Sequence, residues 1–237
     1  MELAPNDWAD GAGDLQCVHF LHIGKTGGTA IKHALAEAIS PPGLKLILHG
    51  HDISLDELDP AEPVIFSLRE PISRFVSAFY SRMRCGRPRY FFPWSELEQK
   101  VFSVFPTPEA LALALADTGA VHHTLAREAL EGIRHFRRLN RWLIGEDFLL
   151  SRRSQILFVA FQESLDRDFE ILRRLLHLPS SVVLPTGELE AHRNPPGLSR
   201  QIAPPGVEAL RHWYAEDIRL IEVCRQLMES RSYQAIL

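Results

Sequence analysis

The feature that most constrains this chain is an apolar run that passes through glycines straight into a helix-patterned stretch. Cys17-Val-His-Phe-Leu-His-Ile23 has strand length, and residues 24–28 form a glycine-rich turn. Ile31, Leu35 and Ile39 then recur at helical spacing until Ser40-Pro41-Pro42-Gly43 stops the pattern. A strand that turns on glycine into a helix opens an α/β fold. Residues 44–48, 64–68 and 156–161 read as further strands. Helical patterns follow from Pro71, over 164–177 and over 207–228, with a Pro- and Gly-rich loop over 185–206. Pro71 suits the first turn of its helix, where a missing N–H costs nothing. Strands alternating with long crossovers predict a central, mostly parallel sheet in a three-layer arrangement, covered by helices on both faces.

Residues 85–154 show helical patches at 109–117 and 125–143 and no strand, which predicts a helical insertion. The expectation is therefore one domain over 15–237, preceded by a loose tail over 1–14. Apolar residues at 46% and charged residues at 24% supply a sizeable core and exclude a disordered chain. No run approaches the ~18 apolar residues that cross a bilayer. Residues 1–14 lack the basic-then-apolar pattern of a signal peptide. Twenty-six basic against thirty acidic residues argue against bulk nucleic-acid binding. Cys17, Cys85 and Cys224 are odd in number and far apart, so neither a disulfide framework nor a zinc ribbon is expected. Asn6, Asn140 and Asn194 start no glycosylation sequon. The chain reads as a reduced, cytoplasmic protein, and the lack of an anchor points toward a bacterial one.

Three motifs carry chemistry. In His22-Ile-Gly-Lys25-Thr26-Gly27-Gly28-Thr29, a glycine turn presents backbone N–H groups at a helix N-terminus, an anion cradle. Lys25 adds a movable charge, and Thr26 and Thr29 add hydroxyls. A nucleotide loop of the GxxxxGK[ST] type would need a glycine where His19 stands. The bland alternative is a tight turn with a surface lysine. In Ile65-Phe-Ser-Leu-Arg69-Glu-Pro71-Ile-Ser-Arg74-Phe-Val-Ser77, Arg69 ends a strand and offers a donor fork suited to phosphate. Ser77 lies about two turns up the next helix. Arg74 reads better as a structural ion-pairing residue. The third motif, His49-Gly50-His51, also ends a strand, where parallel sheets bind ligands. Two packing histidines, or a metal site with His19, His22 or Asp52, compete with a catalytic reading; no ligand spacing is diagnostic of metal.

Lys25-Thr-Gly-Gly-Thr29 after a strand resembles the 5′-phosphosulfate loop of sulfotransferases that use 3′-phosphoadenosine 5′-phosphosulfate (PAPS). The HIxKTGGT form is most similar to the carbohydrate sulfotransferases, such as the heparan and uronyl 2-O-type enzymes. The segment 65–80 resembles the same family's 3′-phosphate site, with Arg69-Glu70-Pro71 where the family usually has Arg-Asp-Pro. A similar HGH precedes that motif in the 2-O-sulfotransferases, and its second histidine is the base. The resemblance covers residues 17–83 and, in element order, 155–178.

This resemblance implies a P-loop-like fold and transfer of a sulfuryl group from PAPS to an acceptor hydroxyl, with adenosine 3′,5′-bisphosphate (PAP) as product. Lys25, Thr26, Gly27, Gly28 and Thr29 would hold the phosphosulfate, Arg69 and Ser77 the 3′-phosphate. His51 would be the general base and His49 a supporting residue. Arg193, in the late loop, would help close over the nucleotide. No metal is implied. The acceptor is expected to be a carbohydrate hydroxyl, with small metabolites, lipids and tyrosine side chains as the alternatives. Two arginine clusters could hold an anionic glycan: Arg82, Arg84, Arg87 and Arg89 before Tyr90-Phe91-Phe92, and Arg134, Arg137, Arg138 and Arg141, spaced for one helix face. A solvated face is the alternative for both. Two other readings stand beside the transferase: a nucleotide-dependent kinase, for which Glu163 is the acid nearest a strand end, and a non-catalytic nucleotide-binding module.

Overall fold

The computed structural model describes residues 16–38, 42–187 and 197–231. The expected tail over 1–14 and Arg193 lie outside them. The apolar runs pair as a four-stranded sheet in the order β2-β1-β3-β4, comprising β1 (Gln16–Leu21), β2 (Leu44–Leu48), β3 (Val64–Leu68) and β4 (Ile156–Phe161). Every neighbouring pair is parallel. The chain runs from β1 out to the edge at β2, then crosses back to β3 on the other side of β1. The order therefore reverses between β1 and β3, the place where open α/β sheets leave a crevice at the carboxyl ends of their strands.

Period-two alternation gives the sheet two apolar faces. Val18, Phe20, Ile65 and Phe158 pack with Ile31 and Leu35 of α1 (Gly28–Glu37) and with Phe169 and Leu172 of α8 (Leu165–Leu175). Leu21, Phe66, Leu68 and Val159 pack on the opposite side, where α6 (Asn140–Leu143), α7 (Glu146–Ser151) and α10 (Ala215–Ser230) lie. Val64 pairs with Ile156 but Ile65 with Phe158, so Leu157 is the extra residue of a bulge in β4. The result is an α/β fold with helices on both faces of a parallel sheet.

A separate core gathers around α2 (Pro71–Met83). Glu70 caps that helix, its carboxylate accepting from the amides of Ile72 and Ser73, so the glutamate does a capping job within reach of an aspartate. Phe75 and Phe79 pack there with residues of α3 (Glu96–Val104), α4 (Pro108–Ala116), α5 (His123–Gly132) and α9 (Pro204–Trp213).

Two expected helices are broken, and for one reason. The patch at 125–143 is α5, a 3₁₀ turn at Arg134–Phe136 and then α6. Ile133 and Phe136 belong to the core around α2, whereas Leu139, Trp142 and Leu143 belong to the sheet. A straight helix could not feed both. The final helix splits likewise: Leu210 and Tyr214 serve the first core, Leu220, Ile221 and Cys224 the second. The Tyr214 hydroxyl donates to the Phe136 carbonyl at 2.8 Å and ties the two breaks together. Among the described residues, no helix is long and apolar enough to cross a membrane.

Candidate functional site

The turn after β1 is held from below. Thr26 is buried, and its hydroxyl donates to the Ile23 carbonyl and shares a hydrogen bond with Ser67 of β3, both at 2.9 Å. Its side chain thus faces the sheet and offers a ligand only its main chain, a correction to its expected role as a hydroxyl donor. Gly27 has φ +88°, the left-handed region that favours glycine, and a Cβ there would stand 2.9 Å from Leu165. Gly28 opens α1 against the His22 ring, leaving 2.6 Å for a Cβ. The first turn of α1 carries no acid.

Lys25, Gly27, Gly28 and Thr29 line a cavity of about 1060 Å³ together with Arg69, Ser77 and His51. The glycine turn with the start of α1, the segment after β2, and the end of β3 with α2 therefore deliver these residues to one place. Arg69 enters from the end of β3, its Nε donating to the Ser73 hydroxyl at 2.8 Å. Burial lowers its pKa to about 10, which leaves it charged at neutral pH. Ser77 reaches the cavity from the second turn of α2. Burial, with the neighbouring Arg69 and Arg84 charges, lowers the Lys25 pKa to about 7. Lys32, Arg89 and Arg200 add three more cations to the lining.

Arg74 does not line this cavity. It is buried, pairs with Asp217 at 3.2 Å, donates to the Gly24 carbonyl at 3.1 Å and to the Arg137 carbonyl, and lies over Trp142. This is the ion-pairing role expected of it, with the added effect of bracing the glycine turn.

The two histidines of His49-Gly50-His51 part company. His51 faces the cavity, its Nδ1 hydrogen-bonded to the His22 carbonyl at 3.0 Å. That contact makes Nδ1 the protonated nitrogen and leaves Nε2 with its lone pair. Desolvation holds its pKa below the usual imidazole range, so the ring is neutral at pH 7. Trp142 Nε1 donates to the His51 carbonyl at 2.8 Å. His49 instead turns to the sheet edge, 2.7 Å from His19, and is not part of the cavity lining. Its expected supporting role is corrected to a main-chain one: its carbonyl accepts from Lys32 Nζ at 2.8 Å.

Sequence reasoning missed two imidazoles in the lining, the buried His22 and the half-buried His135, both lowered to about 2 by desolvation and so held neutral. His22 lay inside the quoted motif, and its ring meets that of His51 at a 36° tilt with centroids 3.9 Å apart. Lys32, one turn beyond Thr29 on the same helix, was also readable. His135 and Arg200 carried no signal, since both arrive from distant segments.

The arginine clusters divide. Arg134, Arg137, Arg138 and Arg141 do not share a helix face, because the chain there is a 3₁₀ turn followed by α6. Arg134 pairs with Asp52 and Arg141 donates to the Asp52 carbonyl at 2.6 Å, so two of the four pin the segment carrying His51. Arg82 is buried against Glu98 at 2.5 Å. Arg89 and Tyr90 reach the cavity. Glu163 also lines it, but its carboxylate accepts the Glu70 amide at 2.7 Å and lies 3.7 Å from Arg225. No protein-family model matches the chain, and no curated protein matches its sequence.

The arrangement can hold a doubly anionic ligand at two separated points, the glycine turn and Arg69, and present a neutral imidazole to a third group.

Proposed function

We propose that the chain is a PAPS-dependent sulfotransferase that moves a sulfuryl group to an acceptor hydroxyl. One observation carries the reading: the glycine turn, Arg69 with Ser77, and His51 line a single cation-rich cavity. A strand, glycine turn and helix beside an arginine-ended strand supports this reading, since a P-loop-like site for such a donor would need those parts.

Lys25 and the turn amides would bind the 5′-phosphosulfate and stabilise charge growing on the bridging oxygen as the sulfur–oxygen bond breaks. Arg69 and Ser77 would fix the 3′-phosphate, which positions the donor without entering the chemistry. His51 Nε2 would take the acceptor's proton as its oxygen attacks sulfur. The lone pair is available because Nδ1–H is committed to the His22 carbonyl. Lys32, Arg89 and Arg200 favour an anionic acceptor, and a hydroxyl of an acidic carbohydrate fits them.

Calorimetric titration with PAP and with ATP tests the donor assignment. PAP should bind and ATP should bind far more weakly, because only PAP brings a phosphate to Arg69. Binding of ATP with no binding of PAP overturns the assignment and favours a kinase. Incubation with labelled PAPS and a panel of glycans, phenols and alcohols then reads the acceptor as a gain of one sulfate.

A further inference from the structure

A second cluster lies outside the cavity, on the face of the sheet where β1, β2 and the approach to β3 meet. Side chains two apart on a strand share a face, which puts Cys17 and His19 together on β1. Cys17 Sγ is 3.8 Å from His19 Nε2, and Glu62 Oε2 is 2.5 Å from the same nitrogen. The three ligand atoms lie within 4.8 Å of one another. On its other side, His19 Nδ1 is 2.7 Å from His49 Nε2, and the two rings are stacked 6° from parallel.

We propose that Cys17, His19 and Glu62 bind one zinc ion, with water as the fourth ligand. Zinc bonds of about 2.0–2.3 Å in a tetrahedron put ligand atoms roughly 3–4 Å apart. The sulfur and imidazole nitrogen already have that separation. The glutamate must move out by about 1 Å to reach it, and its side chain is 38% exposed while that of His19 is 8% exposed. The fixed ligand is therefore the imidazole and the adjustable one the carboxylate. A thiolate with an imidazole selects zinc over magnesium or calcium, which prefer all-oxygen sites. Histidines that bind metal through one nitrogen usually give the other N–H to an acceptor. His49 Nε2 stands where that acceptor belongs.

The inference does not depend on the sulfotransferase reading, since none of these four side chains lines the cavity. It does supply a use for His49. A metal at this point would tie β1 to the segment before β3 and, through His49, hold the strand end two residues before His51.

The test titrates chelator-dialysed full chain with zinc and, separately, with cobalt as a spectroscopic probe. One equivalent should bind, and cobalt should show a thiolate-to-metal charge-transfer band. Cys17→Ser should abolish the band and weaken zinc binding. His49→Leu, which removes the acceptor for the His19 N–H, should weaken binding by about 10–100-fold while keeping the band. Zinc bound by Cys17→Ser as tightly as by the parent chain, a cobalt spectrum without the thiolate band, or no binding by the parent chain each overturns the proposal. Cys17 is only half-buried, so the serine variant is expected to fold, and circular dichroism checks that it does.

Discussion

Arg69 and Arg74 stand five positions apart, yet the regions around them are opposites. Arg74 is 2% exposed, and its charge is met within the chain by Asp217, two carbonyls and an aromatic face. Arg69 reaches a neutral hydroxyl, that of Ser73, and shares its cavity with Lys25. Burial first, and then repulsion from the neighbouring Arg69 and Arg84 charges, depresses the Lys25 pKa. The interior of the fold and its open end therefore treat the same side chain differently. A guanidinium paired with its own carboxylate is scaffold. Arg69 has the Glu163 carboxylate in the same cavity but no ion pair with it, and under the proposed function an anion from outside would complete its charge.

If that contrast is right, cavity substitutions should change binding or turnover with little effect on folding, and clamp substitutions should do the reverse. The largest effect belongs to His51. His51→Gln should lower the transfer rate by about 10²–10⁴ with PAP affinity unchanged; a variant that turns over normally would remove His51 from the chemistry. Next comes the clamp. Arg74→Met leaves Asp217 buried without its partner and should cost about 3–5 kcal/mol in urea unfolding. Arg69→Met should stay within about 0.5 kcal/mol of the parent while PAP affinity falls. Equal destabilisation by the two arginine variants would erase the distinction between them.

The parts of the molecule legible in advance were those whose causes are local. The β1–turn–α1 unit, β3 with Pro71 opening α2, and β4 followed by α8 each follow from spacing within some twenty residues. What escaped depends on which core a residue joins. Nothing near Ile133 or Tyr214 announces that the chain must leave one core and enter another, so both helices were expected to run on. The same limit explains His135, which reaches the cavity through a 3₁₀ turn created by that crossing. His49 and His51 show a subtler case. Two residues apart on a strand they would share a face, but β2 ends at Leu48 and the chain bends at His51 and Asp52. One ring joins the sheet-edge cluster and the other the cavity. The spacing was visible; the end of the strand just before them decided its meaning.

The smallest effect is also the sharpest test of the cation-rich cavity. With a pKa of about 7, Lys25 is largely neutral in the empty cavity above neutral pH. A bound phosphate favours the charged amine and raises that pKa toward its ordinary value, so binding above pH 7 takes up a proton. By linkage, PAP affinity should then be level below about pH 7 and fall by up to about tenfold per pH unit above it. Two other cavity groups stay outside this window. Arg69 titrates near 10, and His51 lies below the ordinary imidazole value. A phosphate monoester has lost its second proton by about pH 7, its pKa being about 6. Calorimetry in buffers of different ionisation enthalpy should count close to one proton taken up at about pH 8.5. Lys25→Met should bind PAP more weakly and with no such slope. A parent chain whose affinity is flat across this range would mean that the lysine amine does not meet the ligand, and the contrast between the two regions would then rest on Arg69 alone.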